Sequence, residues 1–402
     1  MRAPRGHKLK VSKQERTYAL RFIVCLGVVS LFADMTYEGA YSIMGPFLSE
    51  LGANAAQVGL IAGLGEMMAA SLRYFSGRVV DRTRAYWGIA IFGYCLNLVV
   101  VPAMAFVGNW QMAALLVVAE RTGKSLRGPA RDVLLSEATG KIGHGWGFGV
   151  HAAMDQTGAV LGPLLMVAAV ARTHHFGPAF LRLAVPAACA LIALLIARAV
   201  YPNAGAATPR PAKAQNLPHV FWMYVMAAGL LACGFLDFPL LSYHFEKAAV
   251  FAPATIPLLY AGAMGVNGLT AMIFGRLFDR YGIPVLSFGI LISLLALPLG
   301  FLGGSSSAIA GVACWAAGLG VQDASLRSGI AQVVSMNKRG AAFGAFNGVY
   351  GVAWFVGSAA MGMLYDRSLM ALVVFGMVFQ LAAAAAFFRL RKPLAAMAIA
   401  AQ

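Results

Sequence analysis

Between Glu120 and Asp132 the chain reads Glu-Arg-Thr-Gly-Lys-Ser-Leu-Arg-Gly-Pro-Ala-Arg-Asp, six ionisable side chains set between apolar stretches. A guanidinium can fork onto a carboxylate or phosphate, an ammonium offers three donors to an anion, and a carboxylate can take up or release a proton. On a helix Glu120, Lys124, Arg127 and Arg131 fall at i, i+4, i+7 and i+11, one narrow stripe, with Arg121 and Asp132 on a second stripe beside it. A charge within a bilayer costs roughly 3 kcal/mol on insertion scales, so such a stripe calls for a polar pathway enclosed by other helices.

Other chemistry-bearing residues lie in otherwise apolar sequence. Asp34, Tyr37, Glu38 and Tyr41 share one helical face. His151 and Asp155 share another, ahead of Gly158, Gly162 and Pro163. Asp237 and His244 flank Pro239, and Asp323 and Arg327 stand at the i, i+4 spacing of an ion pair. Glu66 and Arg73 are seven apart on one face, with Arg73 placed to snorkel. Each intramembrane acid supports two readings, a structural pair or a protonatable group. Asp34 is the first candidate for a proton site, followed by Glu38, Asp155 and Asp237.

The elements that must position these residues are long and apolar. The chain has 402 residues, 60% hydrophobic and 11% charged, against about 25% charged in soluble domains. About twelve segments approach the ~20 residues of a spanning helix: 19–44, 56–78, 86–108, 110–138, 145–170, 178–200, 219–244, 254–277, 283–303, 307–335, 341–364 and 369–389. An all-α, multi-pass membrane protein is therefore expected. Pro46 and Gly52 should break the chain after the first span.

The net charge of +16 does not point to nucleic acid. Lys and Arg concentrate at the N-terminus, in every second loop and at the C-terminus, whereas the alternate loops hold Arg172, Lys247 and Arg367. That asymmetry puts both termini in the cytoplasm, with the basic residues facing the bilayer surface. The five cysteines are single and scattered, so neither a disulfide framework nor a metal site is expected, and no cofactor motif is found. H-E-x-x-H and G-x-S-x-G do not occur, which leaves hydrolase and metalloprotease readings without residues.

The two halves repeat each other. Gly77-Arg-Val-Val-Asp81-Arg82 recurs as Gly275-Arg-Leu-Phe-Asp279-Arg280 at an offset of 198, and Lys124-Ser-Leu-Arg127 is answered by Ala324-Ser-Leu-Arg327. Leu31-Phe-Ala-Asp34 is answered by Gly234-Phe-Leu-Asp237, and Gly145-x-x-Phe148-Gly149 by Gly340-x-x-Phe343-Gly344. Near-constant offsets indicate two parallel six-helix copies. The expected organisation is a basic N-terminus over 1–18, bundles over 19–200 and 219–392, a Pro/Ala/Gly-rich cytoplasmic linker over 201–218, and a tail over 393–402.

These motifs resemble those of the major facilitator superfamily, over nearly all of residues 17–392. The family's loop G-x-x-x-D-R/K-x-G-R/K is matched by Gly77, Asp81 and Arg82, with Thr83-Arg84 departing from it, and the second copy keeps Gly275, Asp279, Arg280 and Gly282. Arg121 matches the arginine of R-x-x-Q-G-x-G on the fourth helix, where Lys124 replaces the glutamine and Ser125 the first glycine. Gly158, Gly162 and Pro163 match an antiporter-associated G-x-x-x-G-P, without the glycine pair that follows it. The resemblance implies two pseudo-symmetric bundles rocking about a mid-membrane site lined by helices one, four, seven and ten. It implies gating roles for Gly77, Asp81, Arg82, Gly275, Asp279 and Arg280, with Arg121, Arg131 and Asp132 assigned alongside them. Tyr37, Lys124, Arg127, Asp323 and Arg327 are then the expected substrate contacts. The expected activity is proton-coupled secondary transport of a small organic solute, anionic or zwitterionic, across the cytoplasmic membrane by a monomer, with efflux preferred. Uptake by a permease, or a non-transporting sensor on the same scaffold, are the alternatives.

Overall fold

The computed structural model describes residues 13–142, 144–202, 217–334 and 339–400, and every regular element among them is helical. Twelve long elements follow one another. In the first half they are α1 Lys13–Ser42, α2 Ala55–Thr83, α3 Tyr86–Ala103, α4 Trp110–Ile142, α5 His144–Thr173 and α6 Ala184–Val200. In the second they are α7 His219–Gly234 with Phe238–Lys247, α8 Thr255–Tyr281, α9 Pro284–Leu294 with Ala296–Phe301, α10 Ser305–Val333, α11 Arg339–Arg367 and α12 Leu369–Ala400. Among the described residues eleven spans are long and apolar enough to cross a membrane; α4, dense in charge, is not one of them. The protein is an all-α membrane protein of two pseudo-symmetric six-helix bundles. The expected linker falls largely on residues outside those described.

Helices that start where α1 starts define one face of the protein, called here the terminal face; α1 ends at the opposite, far face. There the short helix Met44–Glu50 follows α1, Gly52 turns at φ +83°, and Asn54 caps α2 in a reciprocal box with Gln57. The Asp81 motif, expected in a loop, is instead the last turns of α2. The helix continues to Thr83 and stops where Arg84 adopts φ 53°. Its repeat is likewise helical to Tyr281, stopped by Gly282 at φ 69°. A helix that leaves the apolar layer keeps its hydrogen bonds until a left-handed residue ends it.

Inside the first bundle α1 lies on α5, on α6 and on α4. The α1–α5 approach depends on small residues: a Cβ on Gly158 would run into the Leu31 carbonyl oxygen, and one on Gly162 into that of Met35. The bundles meet along two seams, α2 against α11 and α5 against α8. α7 is enclosed almost throughout and breaks over Phe235–Asp237, just before Pro239 at the start of its second half. That irregular backbone is protein-enclosed, as membrane-depth breaks must be.

Candidate functional site

α4 brings its charges into contact with three different neighbours. Arg121 Nη1 lies 3.1 Å from Glu66 Oε1 on α2 and its Nε 3.2 Å from Glu120 Oε2, with Tyr41 of α1 under the guanidinium at 4.9 Å. Glu120 also accepts from Asn97 Nδ2 of α3 at 2.6 Å. One turn on, Lys124 Nζ stands 3.7 Å from the centroid of the Tyr37 ring. Arg127, buried, is sandwiched between the Tyr94 and Tyr37 rings and lies 3.9 Å from Asp34 Oδ1. The expected single stripe is therefore divided, because α4 is surrounded and each of its faces meets a different helix.

A second layer lies toward the terminal face. Arg131 bonds Asp132 at 3.1 Å, reaches Asp155 Oδ1 of α5 at 3.9 Å, and donates to Ser30 Oγ at 3.5 Å. Ser30 Oγ and His151 Nε2 are 3.0 Å apart. Arginine can only donate, so Ser30 accepts from Arg131, and its remaining lone pair and its proton let it pair with either tautomer of His151. Asp155 and Asp34 are neighbours across α5 and α1, each with a buried carboxylate oxygen that has no hydrogen-bond partner. Two carboxyl groups so placed can bond only when one of them carries a proton.

The structure thus assembles Asp34, Tyr37, Lys124, Arg127, Arg131 and Asp155 in the first bundle. Asp132 joins them through Arg131, and Glu38 lies close to Asp34 and Lys124, whereas Asp237, Asp323 and the Asp81 and Asp279 motifs lie apart. Glu38 accepts from Tyr260 OH of α8 at 2.5 Å, across the bundles. Asp237, in the break of α7, accepts from Trp354 Nε1 at 2.8 Å and from Ser358 Oγ, both on α11. Asp323 accepts from Asn267 Nδ2 at 3.2 Å. The Arg327 side chain falls outside the described residues, and with it the expected Asp323–Arg327 pair. Asp81, Arg82, Asp279 and Arg280 are exposed at the terminal face, with Gly77 beside Pro129 and Gly275 beside Ala324. Arg121 lies far from that face, within the ion cluster of α2 and α4.

Several participants were not singled out from the sequence as site residues. Tyr94 and Asn97 lie one turn apart in an apolar α3, and that polarity was the available signal. Tyr260, Trp354 and Ser358 carried none, since aromatic and small residues are ordinary in such helices. Among the described residues no group of His, Cys, Asp and Glu side chains could hold a metal ion.

The sequence profile of the Major Facilitator Superfamily matches residues 26–358. An uncharacterized protein of Mycobacterium tuberculosis is 39% identical over 387 residues, which is 93% of this chain and 94% of that protein. An uncharacterized MFS-type transporter of Methanocaldococcus jannaschii is 24% identical over 358 residues, 86% of this chain and 89% of its own. Among solved structures, a variant of the nucleoside transporter NupG is similar at a TM-score of 0.76 and 14% identity, over 92% of this chain and 99% of that one. A bacterial homolog of the human lysosomal transporter Spinster gives 0.66 at 13% identity, over 94% and 99%. At such identities the structures speak for the fold, and the profile and relatives for the family. The chain belongs to the major facilitator superfamily.

Proposed function

We propose that this membrane transporter is a proton-coupled secondary carrier of a small organic anion or zwitterion, working by alternating access, with proton and substrate carried together. The observation that carries the reading is Lys124. Its ammonium rests on the Tyr37 ring and has no carboxylate partner among the described residues, while Arg121, Arg127 and Arg131 all have one. A cation enclosed among helices, with acids nearby and none in direct contact, has a place for an anion at its ammonium, and a substrate anion fills it.

The coupling follows from the neighbours. An anion arriving at Lys124 also meets Arg127, one turn along the same helix. Drawing Arg127 toward the substrate weakens its hold on Asp34, which then keeps a proton shared with Asp155; releasing the substrate reverses this. Bundles over 19–200 and 219–392 would rock about this site, the cytoplasmic face being the terminal face of a monomer in the cytoplasmic membrane. The α2 and α8 ends carrying Asp81, Arg82, Asp279 and Arg280 would gate that face, with Arg131 and Asp132 close to it.

The test compares solutes inside and outside cells expressing wild type or Asp34→Asn, with and without a proton uncoupler. A solute whose distribution shifts only with wild type, and only with the gradient intact, gives substrate, direction and coupling together. A shift that survives both treatments removes the proton role of Asp34 and leaves facilitated uptake or another ion. No shift of any solute favours a sensor.

A further inference from the structure

A third copy of G-x-x-x-D-R stands at the far end of α11, Gly362-Met-Leu-Tyr-Asp366-Arg367. It is not part of the repeat between the halves, for it ends an odd-numbered helix and lies on the opposite face from the other two. α2 and α11 run antiparallel along the whole seam. A Cβ on Gly59 would meet Gly362 Cα at 3.0 Å, one on Gly63 would meet Phe355 Cα at 3.0 Å, and one on Gly351 would meet the Ala70 Cβ at 2.8 Å. In that register each helix ends in a G-x-x-x-D-R beside the first turn of the other. Asp366 lies beside the start of α2, and Asp81, at the end of α2, beside the start of α11 at Arg339.

The two ends differ in what they do. Asp366 Oδ2 accepts the backbone N–H of Ala56, 3.1 Å away, in the first turn of α2. That N–H has no partner within its own helix, and a carboxylate there also meets the positive end of the helix dipole. Gly362 makes the approach possible, since a Cβ on it would lie 3.1 Å from Ala56 Cα. Asp81 is exposed and makes no hydrogen bond or ion pair among the described residues. Close by on the far face, Ser49 Oγ donates to Glu246 Oε2 at 2.7 Å, and Ser242 is wholly buried beside Gly45.

We propose that Asp366 is a gating residue: a far-face latch that caps α2 while the far side is closed, and lets go in the state in which Asp81 engages the start of α11. This rests on the alternating-access reading above, and its test needs no substrate. In a variant lacking the five native cysteines, Ser242→Cys reports far-side opening through its rate of reaction with a membrane-impermeant maleimide. Loss of a carboxylate at a helix N-terminus at an exposed site should raise that rate roughly two- to fivefold in Asp366→Ala, and less in Asp366→Asn, which keeps an acceptor. Ala56→Pro removes the donor within the first helical turn, where proline is tolerated, and should raise the rate as Asp366→Ala does. Asp81→Ala should lower it, an outcome that general loosening of the seam cannot produce. Equal rates in wild type, Asp366→Ala and Ala56→Pro overturn the latch, and a raised rate in Asp81→Ala overturns its reciprocity. Shifted labelling with no proton-dependent flux would keep the latch and reject the proton-coupled carrier.

Discussion

Arg127 and Asp34 face each other across α4 and α1 at 3.9 Å, near enough for strong attraction and too far for a hydrogen bond. Asp34 Oδ1 and Arg127 Nε are both buried without a hydrogen-bond partner. A pair held at that distance in a water-poor interior is costly to keep and easy to rearrange, which suits a coupling element better than a clamp. The two roles separate in a double-mutant cycle. Arg127→Gln removes the cation that holds Asp34 ionised and should destabilise the detergent-solubilised protein, by up to about 3–5 kcal/mol where Asp34 stays charged and by less where it takes up a proton. Adding Asp34→Asn should restore most of the melting temperature without restoring flux. Recovery of both together would reduce the pair to a structural tie.

Lys124 should behave in the opposite way. Because no carboxylate is in direct contact with it among the described residues, Lys124→Met breaks no ion pair, and its melting temperature should change less than that of Arg127→Gln. Transport of the substrate should suffer instead, with KM raised roughly tenfold or more, the scale of one charge-assisted hydrogen bond. Lys124→Arg should keep part of the affinity. A variant that melts early while transporting normally would place Lys124 among the packing residues and remove the anion site.

Much of this arrangement is legible in the residues themselves. Leu31-Phe-Ala-Asp34 and Gly234-Phe-Leu-Asp237 announce two related halves, and the structure sets Asp34 and Asp237 at corresponding depths of α1 and α7. The charge density of α4 likewise marks it as the enclosed helix. Spacing along one helix does not state which neighbour each turn meets. Glu120 and Lys124 share a stripe, yet one is bonded by Asn97 of α3 and the other covered by Tyr37 of α1. Asp155 has a cation in reach only because Gly158 and Gly162 let α5 close on α1, which brings it under Arg131. Such partners are set by crossing geometry, and periodicity within one element carries no record of it.

The cluster of Arg121, Glu66 and Glu120 predicts an asymmetry between its members. Arg121→Ala leaves two acids enclosed without their cation and should cost several kcal/mol, lowering both expression and melting temperature. Glu66→Gln leaves Arg121 paired with Glu120 at 3.2 Å and should cost about 1 kcal/mol. Melting curves of the two variants in one detergent decide it; equal losses would mean that Glu66, not Glu120, holds the guanidinium in place.

Asp237 offers a test of how the break in α7 is held. Its two carboxylate oxygens take the Trp354 indole N–H and the Ser358 hydroxyl, tying the irregular backbone of α7 to α11. Asp237→Asn keeps one acceptor for Trp354 and offers an amide N–H to the Ser358 oxygen, so the tie can re-form with its donors reversed. Asp237→Ala orphans both donors in a buried place, at about 1–3 kcal/mol each. The alanine variant should therefore melt well below the asparagine variant, and Ser358→Ala should recover part of the difference by removing one orphan. Flux through the asparagine variant then decides between the remaining roles. Retained proton dependence assigns Asp237 to holding the break, and its loss in a protein of wild-type stability makes Asp237 a second proton site opposite Asp34.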